Sequence, residues 1–315
     1  MKNILITGAA GYLGSLLIDK LSLQKDQLGI NNLIATDVRE LRNSSSNIIF
    51  EKLDVRDDKA AEIFKKYQIE CVVHLASIVT PGKKSNREFE YAVDVLGTQN
   101  ILKACIETGV KRIVISSSGA AYGYYPENEH VLKENDPIRG NYEFAYSHHK
   151  KLVEEELARY RQEFPQLEQT IFRITTILGD QVNNQITDLF RKPLQIGIMG
   201  TDSRFSFIWD NDAVEAFKQS IFSAKTGIFN LSGDGSVSIK ERGKLLKKPV
   251  IKIPSKVIET ALLVLKTFGL TQYGPEQTLF LKYRPILDNT KLKNEFGFIP
   301  QKTSLEVFKD FVERL

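Results

Sequence analysis

The sequence predicts an α/β protein: a doubly wound parallel sheet followed by a smaller C-terminal substrate domain. Three observations predict it. Strand-like and helix-like runs alternate from residue 2 to residue 118. A glycine-rich turn joins the first strand to the first helix. An acidic residue closes the second strand.

The chain opens "MKNILITGAAGYLGSLL". Residues 2–7 read as a buried strand and 12–23 as a helix, with Gly8, Gly11 and Gly14 between them and into the helix start. Gly8 allows a tight turn, Gly11 lets a pyrophosphate approach the backbone, and Gly14 lets the helix pack close on the strand. The helix start, at Tyr12 and Leu13, turns free N–H groups and a positive dipole end toward phosphates. The spacing is G-x-x-G-x-x-G, which carries weight only in context. "NNLIATDVRE" supplies that context with a second strand ending in Asp37. A carboxylate there accepts hydrogen bonds from an adenosine ribose diol and repels a 2′-phosphate, which favours NAD. Arg39 and Arg42 soften the preference and leave NADP open. A third strand ends at Asp54 and Val55, a fourth covers 71–77 and a fifth 112–118, with helix-like runs at 57–68 and 92–108. The pattern is that of a Rossmann-type fold.

"YEFAYSHHKKLVEEELARYRQ" carries the chemistry. Tyr146 and Lys150 are i and i+4 in a helical pattern and share one face. A free phenol titrates near 10, so it needs help at neutral pH. A nearby ammonium and a positive nicotinamide ring would pull that value down. Tyr146 could then exchange a proton with a substrate hydroxyl while hydride moves at carbon. Ser118, ending the fifth strand, could hold the same oxygen.

Composition bounds the rest. The chain has 315 residues, 42% hydrophobic and 26% charged, with net charge +4. Its lysines are scattered, which suits a solvated surface better than nucleic-acid binding. Cys71 and Cys105 lie in apolar runs and read as buried free thiols of a reducing cytoplasm. Ile4–Ile6 is too short for the apolar core of a signal peptide, and no apolar run reaches the roughly 18 residues of a membrane span. In "KVIETALLVLKTFGL", Val257, Ala261, Val264, Leu265 and Phe268 recur at helical spacing, which reads as a packed amphipathic helix rather than a lipid-facing one. The histidines and cysteines show no metal-ligand spacing. His148 and His149 read as surface or interface residues, His74 as structural, and Phe207 and Trp209 as cleft lining or core. "NSSSN", 43–47, reads as a loop.

Taken together, "TGAAGYLG", Asp37, "LDVRD", "HLAS", "VLGTQNIL", "ISSSGAAYG" and "YSHHK", with the later "RITTILG", "FIWDNDAVEAF", "GIFNLSGDG" and "LDNTKLKNEFGFIP", resemble the extended short-chain dehydrogenase/reductases, the NAD-dependent epimerase/dehydratase family. The resemblance spans nearly the whole chain. It implies an NAD-dependent enzyme, similar to UDP-sugar 4-epimerases. Tyr146 would be the acid/base, and Lys150 would hold the ribose and lower the Tyr pKa. Ser118 would be the family's Ser/Thr. Gly8, Gly11, Tyr12, Leu13, Gly14, Asp37, Asp54, Val55, Leu75 and Ala76 would hold cofactor, together with Tyr146 and Lys150. Gly119 and Ala120 replace the Asp-Glu of dehydratases, which disfavours dehydration. Thr176 stands where sugar-nucleotide enzymes often carry Asn. Arg204 lies one position before the expected diphosphate Arg, where Phe205 stands, and Arg284 in "YRPILD" is a compressed version of a later Arg motif. Thr176 and Arg204 are the candidate substrate contacts. Asp94 replaces a family Asn. The expected domains are 1–172, with a return segment near 210–232, and a substrate domain of 173–209 and 233–315. The expected activity is hydride transfer at a secondary alcohol or ketone carbon of a nucleotide-linked sugar. The alternatives are a simple dehydrogenase or reductase of a non-nucleotide substrate and a non-catalytic cofactor sensor. A homodimer is expected through helices near 92–108 and 146–163, the second with a stripe of Leu152, Val153 and Leu157.

Overall fold

The structure, a computed structural model, describes residues 2–42, 45–79, 86–271 and 274–315, so the loop read at 43–47 lies partly outside the described residues. Its strands are β1 (Lys2–Thr7), β2 (Ile30–Asp37), β3 (Ile49–Lys52), β4 (Cys71–His74), β5 (Arg112–Ser118), β6 (Glu168–Ile174), β7 (Thr176–Leu178), β8 (Gln195–Ile198), β9 (Phe207–Trp209), β10 (Gly227–Leu231) and β11 (Val250–Ile253). Its helices are α1 (Tyr12–Leu23), α2 (Ala60–Tyr67), α3 (Arg87–Tyr91), α4 (Gly97–Thr108), α5 (Ala145–Glu163), α6 (Gln185–Arg191), α7 (Asp210–Phe222), α8 (Ile239–Leu246), α9 (Ser255–Thr267), α10 (Gln277–Lys282) and α11 (Ser304–Glu313). A π-helical turn, Ala92–Leu96, joins α3 to α4.

Among the described residues, one seven-stranded sheet runs in the order β10-β6-β5-β4-β1-β2-β3. Every pairing in it is parallel. Both faces are covered, so its strands read as continuous apolar runs. Alternate residues enter opposite cores: Ile4, Ile6, Val73 and Phe172 on one side, Leu5, Val72, Ile113 and Ile171 on the other. The order of strand addition switches sides between β1 and β4. That opens a crevice at the carboxyl ends of the strands, where such sheets bind ligands. β3 and β4 are shorter than the sequence suggests. Residues beyond Lys52 and His74 leave the ladder, because β2 and β1 end beside them at Asp37 and Thr7.

A third core belongs to the later chain. Phe190, Phe205, Phe207, Phe308 and Phe311 pack with Leu178, Val237 and Val307. Phe207 is fully buried there, and Trp209 borders it. The small sheets β7-β9 and β11-β8 carry this part.

Two expectations fail here. Val153 and Leu157, read as a dimer stripe, are buried in the chain's own core, because α5 lies flat on the sheet. The stripe expected to pack α9 points outward: Val257, Ala261, Val264, Leu265 and Phe268 are all exposed, Ile258 and Leu262 are half-buried, and α9 is tied to α10 through Glu259. Cys71 and Cys105 are buried free thiols, as expected.

α5 is fixed to the sheet by a buried ion pair. Arg173 on β6 donates to Glu154 on α5 at 2.7 Å through Nη2 and 3.0 Å through Nε. Ser117 Oγ donates to the same carboxylate at 2.5 Å, and Arg173 reaches Tyr122 Oη at 2.9 Å. Removing one partner strands a buried charge. Arg173→Met is therefore expected to lower unfolding free energy by about 3–5 kcal/mol, read as a shift in urea midpoint, and Glu154→Met combined with it to recover part of the loss.

Candidate active site

Gly8 ends β1 at φ +69°, a backbone that L side chains avoid, and a Cβ there would lie 2.6 Å from Ala76 N. A Cβ on Gly14 would lie 2.3 Å from Gly8 O. The first glycine therefore makes the turn against the β4 exit, and the third lets α1 close on that turn. Gly11 is the N-cap of α1, which has no side-chain cap and no acidic residue in its first turn. This bare, positive helix end fits a pyrophosphate. Leu13 packs on the core, and Tyr12 Oη donates to Asp210 at 2.6 Å, tying α1 to the start of α7.

Asp37 closes β2 with its carboxylate buried. Ala10 N donates to Oδ2 at 3.0 Å and Arg39 N to Oδ1 at 3.0 Å. The residue read as a ribose ligand thus also holds the glycine-rich loop. Asp54 is gripped by Arg56, whose hydrogen bonds hold its carboxyl below the usual range. Val55 packs on Gly97, where a Cβ would lie 2.6 Å from Val55 Cγ2. Leu75 and Ala76 are half-buried at the β4 exit, their N–H groups donating to Thr7. His74 is structural: Thr7 and Thr98 hydroxyls occupy its ring nitrogens at 2.7 and 3.0 Å, and burial, then the Lys150 charge, pushes it down to about 3.

Three consecutive serines of β5 meet one face of α5. Lys150 Nζ donates to Ser116 O at 2.8 Å, Ser117 Oγ donates to Glu154, and Ser118 hydrogen-bonds Tyr146. Tyr146, Lys150 and Glu154 are i, i+4 and i+8, so one helical stripe engages the whole "SSS" run. Ser118 also caps the turn Gly119–Tyr122, accepting from Ala120 N at 3.1 Å. Lys150 Nζ lies 5.6 Å from the Tyr146 ring centre. Burial lowers the Lys150 pKa against the pull of Asp94 and Glu154. Tyr146 departs from expectation: burial raises its pKa, Ser118 opposes, and the Asp94 charge adds to the rise. The ammonium is directed at Ser116 O, so the protein alone keeps this phenol neutral.

Asp94 and His149 form an unforeseen pair. The sequence reads His149 as a surface or interface residue, yet it is 1% exposed, with Nδ1 at 3.2 Å from Asp94 Oδ2. Asp94, presented by the π-helical turn, accepts from Ile78 N at 2.8 Å and Ser77 Oγ at 3.0 Å through its other oxygen. The extra residue of that turn and the aromatic edge of Tyr91, 5.7 Å from the His149 ring, draw the imidazole inward.

The later part of the chain gathers cations. Arg284 donates to Thr176 Oγ1 at 2.6 Å. Its guanidinium lies 4.2 Å from the Phe205 ring centre and 4.5 Å from that of Phe280. Arg242, buried on α8, lies 4.4 Å from the same Phe205 ring. Arg242 Nε and Arg284 Nη1 are buried without hydrogen-bond partners, and no carboxylate pairs with either arginine among the described residues. Burial, then the charge of Arg284, pushes Arg242 down to about 9, and burial pushes Arg284 to about 10. Tyr124 and Phe280, ring centres 5.3 Å apart, link this cluster to Tyr146. Arg204 is not among them. Phe205 is extended, bridged to Val237, so its neighbour points the other way, and Arg204 donates to Ser236 and Asp202 at the surface. The sequence signal for Arg242 was slight: the capping box Ser238–Glu241 sets a helix whose Ile239, Arg242 and Gly243 face inward.

A glycine-cradled helix end, an acid-closed second strand and a Ser–Tyr–Lys cluster on the strand ends define a dinucleotide-dependent α/β enzyme. The comparisons narrow that class. Residues 4–231 match the NAD dependent epimerase/dehydratase family, and the chain belongs to it. An uncharacterized protein of Mycobacterium tuberculosis is 23% identical over 315 residues, covering 98% of this chain and 83% of its own. The UDP-glucose 4-epimerase of Halalkalibacterium halodurans is 31% identical over 186 residues, 58% of this chain and 53% of its own. The Bordetella bronchiseptica enzyme WbmG, solved in complex with NAD and UDP, shares the fold at TM-score 0.75 and 21% identity, over 99% of this chain and 93% of that one.

The raised Tyr146 pKa has a direct consequence. Without dinucleotide, Tyr146 is expected to stay protonated past pH 10, the value of a free phenol. An ultraviolet titration of wild type minus Tyr146→Phe should show no tyrosinate below that pH, and added NAD should bring the step down.

Proposed function

We propose that this NAD-dependent enzyme transfers hydride at a secondary alcohol carbon of a nucleotide-linked sugar, as a 4-epimerase-like catalyst. One observation carries the reading: buried Arg242 and half-buried Arg284 meet on the Phe205 ring without a counter-anion among the described residues, and Phe280 and Tyr124 link them to Tyr146. Arg242 donates to Ser203 O and Val237 O and Arg284 to Thr176, but one nitrogen of each is buried without an acceptor, which is costly unless an anion joins it, and a diphosphate suits paired planar donors. The named UDP-sugar relatives support the sugar nucleotide.

In this reading, residues 1–172 and about 210–232 hold the cofactor, and 173–209 and 233–315 hold the substrate. Gly8, Gly11, Gly14, Tyr12 and Leu13 cradle the pyrophosphate. Asp37 takes the adenosine ribose; Asp54, Val55, Leu75 and Ala76 border the cofactor. Bound NAD supplies a hydride acceptor that is also a donor. Ser118 holds the substrate oxygen, and Tyr146 takes and returns its proton. Lys150 favours the phenolate and binds ribose, with Asp94 steadying its charge. Arg242 takes the part that the family resemblance suggests for Arg204. The two buried thiols support a reducing, cytoplasmic setting. A homodimer through α4 and α5 remains our reading, supported by exposed Phe89 and Leu96 beside α4.

A second reading, a simple dehydrogenase or reductase, draws on Thr176, whose hydroxyl is engaged by Arg284 rather than free for a nucleotide. Release of dinucleotide separates the two, because an epimerase regenerates its cofactor each turnover. Denatured pure protein is expected to release bound NAD(H). Tyr146→Phe should cut turnover by about 10²-fold or more with the dinucleotide retained. Arg242→Met and Arg284→Met should each raise KM for a nucleotide-linked sugar at least about tenfold. An unchanged KM in both contradicts the diphosphate site.

A further inference from the structure

We propose that α9 and the turn after it are an interfacial element that docks on an anionic membrane surface. Scattered exposed apolar side chains are ordinary, but a whole helix that buries none of its residues is not. α9 has no buried residue. Phe268 is 74% exposed, Leu270 73% and Val257 57%, and Leu263, Val264 and Leu265 are exposed with them. Val257, Ala261, Val264, Leu265 and Phe268 form one stripe at i, i+4, i+7, i+8 and i+11. The opposite side is clamped to the body. Ile258 and Leu262 are half-buried, and Glu259 accepts from Thr278 Oγ1 on α10 at 3.0 Å.

Charge selects the occupant. Lys252, Lys256 and Lys266, on α9 and the strand that feeds it, are exposed, as is Lys247 at the end of α8. The acidic groups nearby are engaged: Glu259 on Thr278 and Lys282, Glu276 on Gly274 N and Lys266, and exposed Asp202 on Arg204, 4.0 Å from Lys252. A second copy docking on this face by two-fold symmetry would set lysine against lysine. An anionic lipid surface takes both the apolar stripe and the basic flank. No helix among the described residues is long and apolar enough to cross a membrane, so the contact is with the surface. Docking would hold the substrate side there, because α10 carries Phe280, which packs on Tyr124 and under Arg284.

The test is cosedimentation of the full chain with vesicles. Binding is expected to vesicles containing phosphatidylglycerol and not to pure phosphatidylcholine, and to weaken in high salt. Leu265→Glu with Phe268→Glu should lose binding about tenfold or more while keeping its circular dichroism and bound dinucleotide. Lys252→Glu with Lys256→Glu should weaken binding to the anionic vesicles. Absence of vesicle binding, equal binding by the Leu265/Phe268 variant, or a fall in light-scattering mass in that variant, which would make the face a self-interface, overturns the proposal.

Discussion

The buried pair between Glu154 and Arg173 fixes where α5 lies on the sheet, and the chemistry follows from that position. Glu154 is on the same stripe as Tyr146 and Lys150. Anchoring it to β6 sets the height of the helix against β5, and each of the three serines there meets its own partner. The register of β5 on β6, with Ser118 opposite Ile174, carries the same constraint to the strand ends. Desolvating two charges is expensive, so the pair is better understood as a device that sets one arrangement than as a source of net stability.

Elements governed by local chemistry were legible from the residues. The glycine turn, Asp37 and the Tyr-x-x-x-Lys stripe each follow from backbone conformation or helical period, which neighbouring residues specify. What was illegible depends on long-range packing. Periodicity finds an apolar stripe on α9 but cannot say which side meets the body, and there Ile258 and Leu262 won. Arg242 reads as one more surface charge until the fold lays it on Phe205, far from it in sequence. His149 reads as exposed until the π-helical turn brings Asp94 beneath it.

Charge organises the half of the chain proposed to hold substrate, as glycine organises the half proposed to hold the cofactor. Phe205 stands where the family resemblance led us to look for an arginine, and two arginines from other elements converge on its ring instead. The apolar and basic face of α9 lies one helix away.

The central claim is that hydride leaves and returns to the same sugar on an enzyme that keeps its cofactor. Following a nucleotide-linked sugar by NMR during multiple turnovers, with absorbance of reduced cofactor recorded in parallel, tests it most directly. The account predicts conversion to the epimer at the oxidised carbon with no build-up of free NADH. Accumulation of a keto product with one NADH released per molecule converted would contradict it.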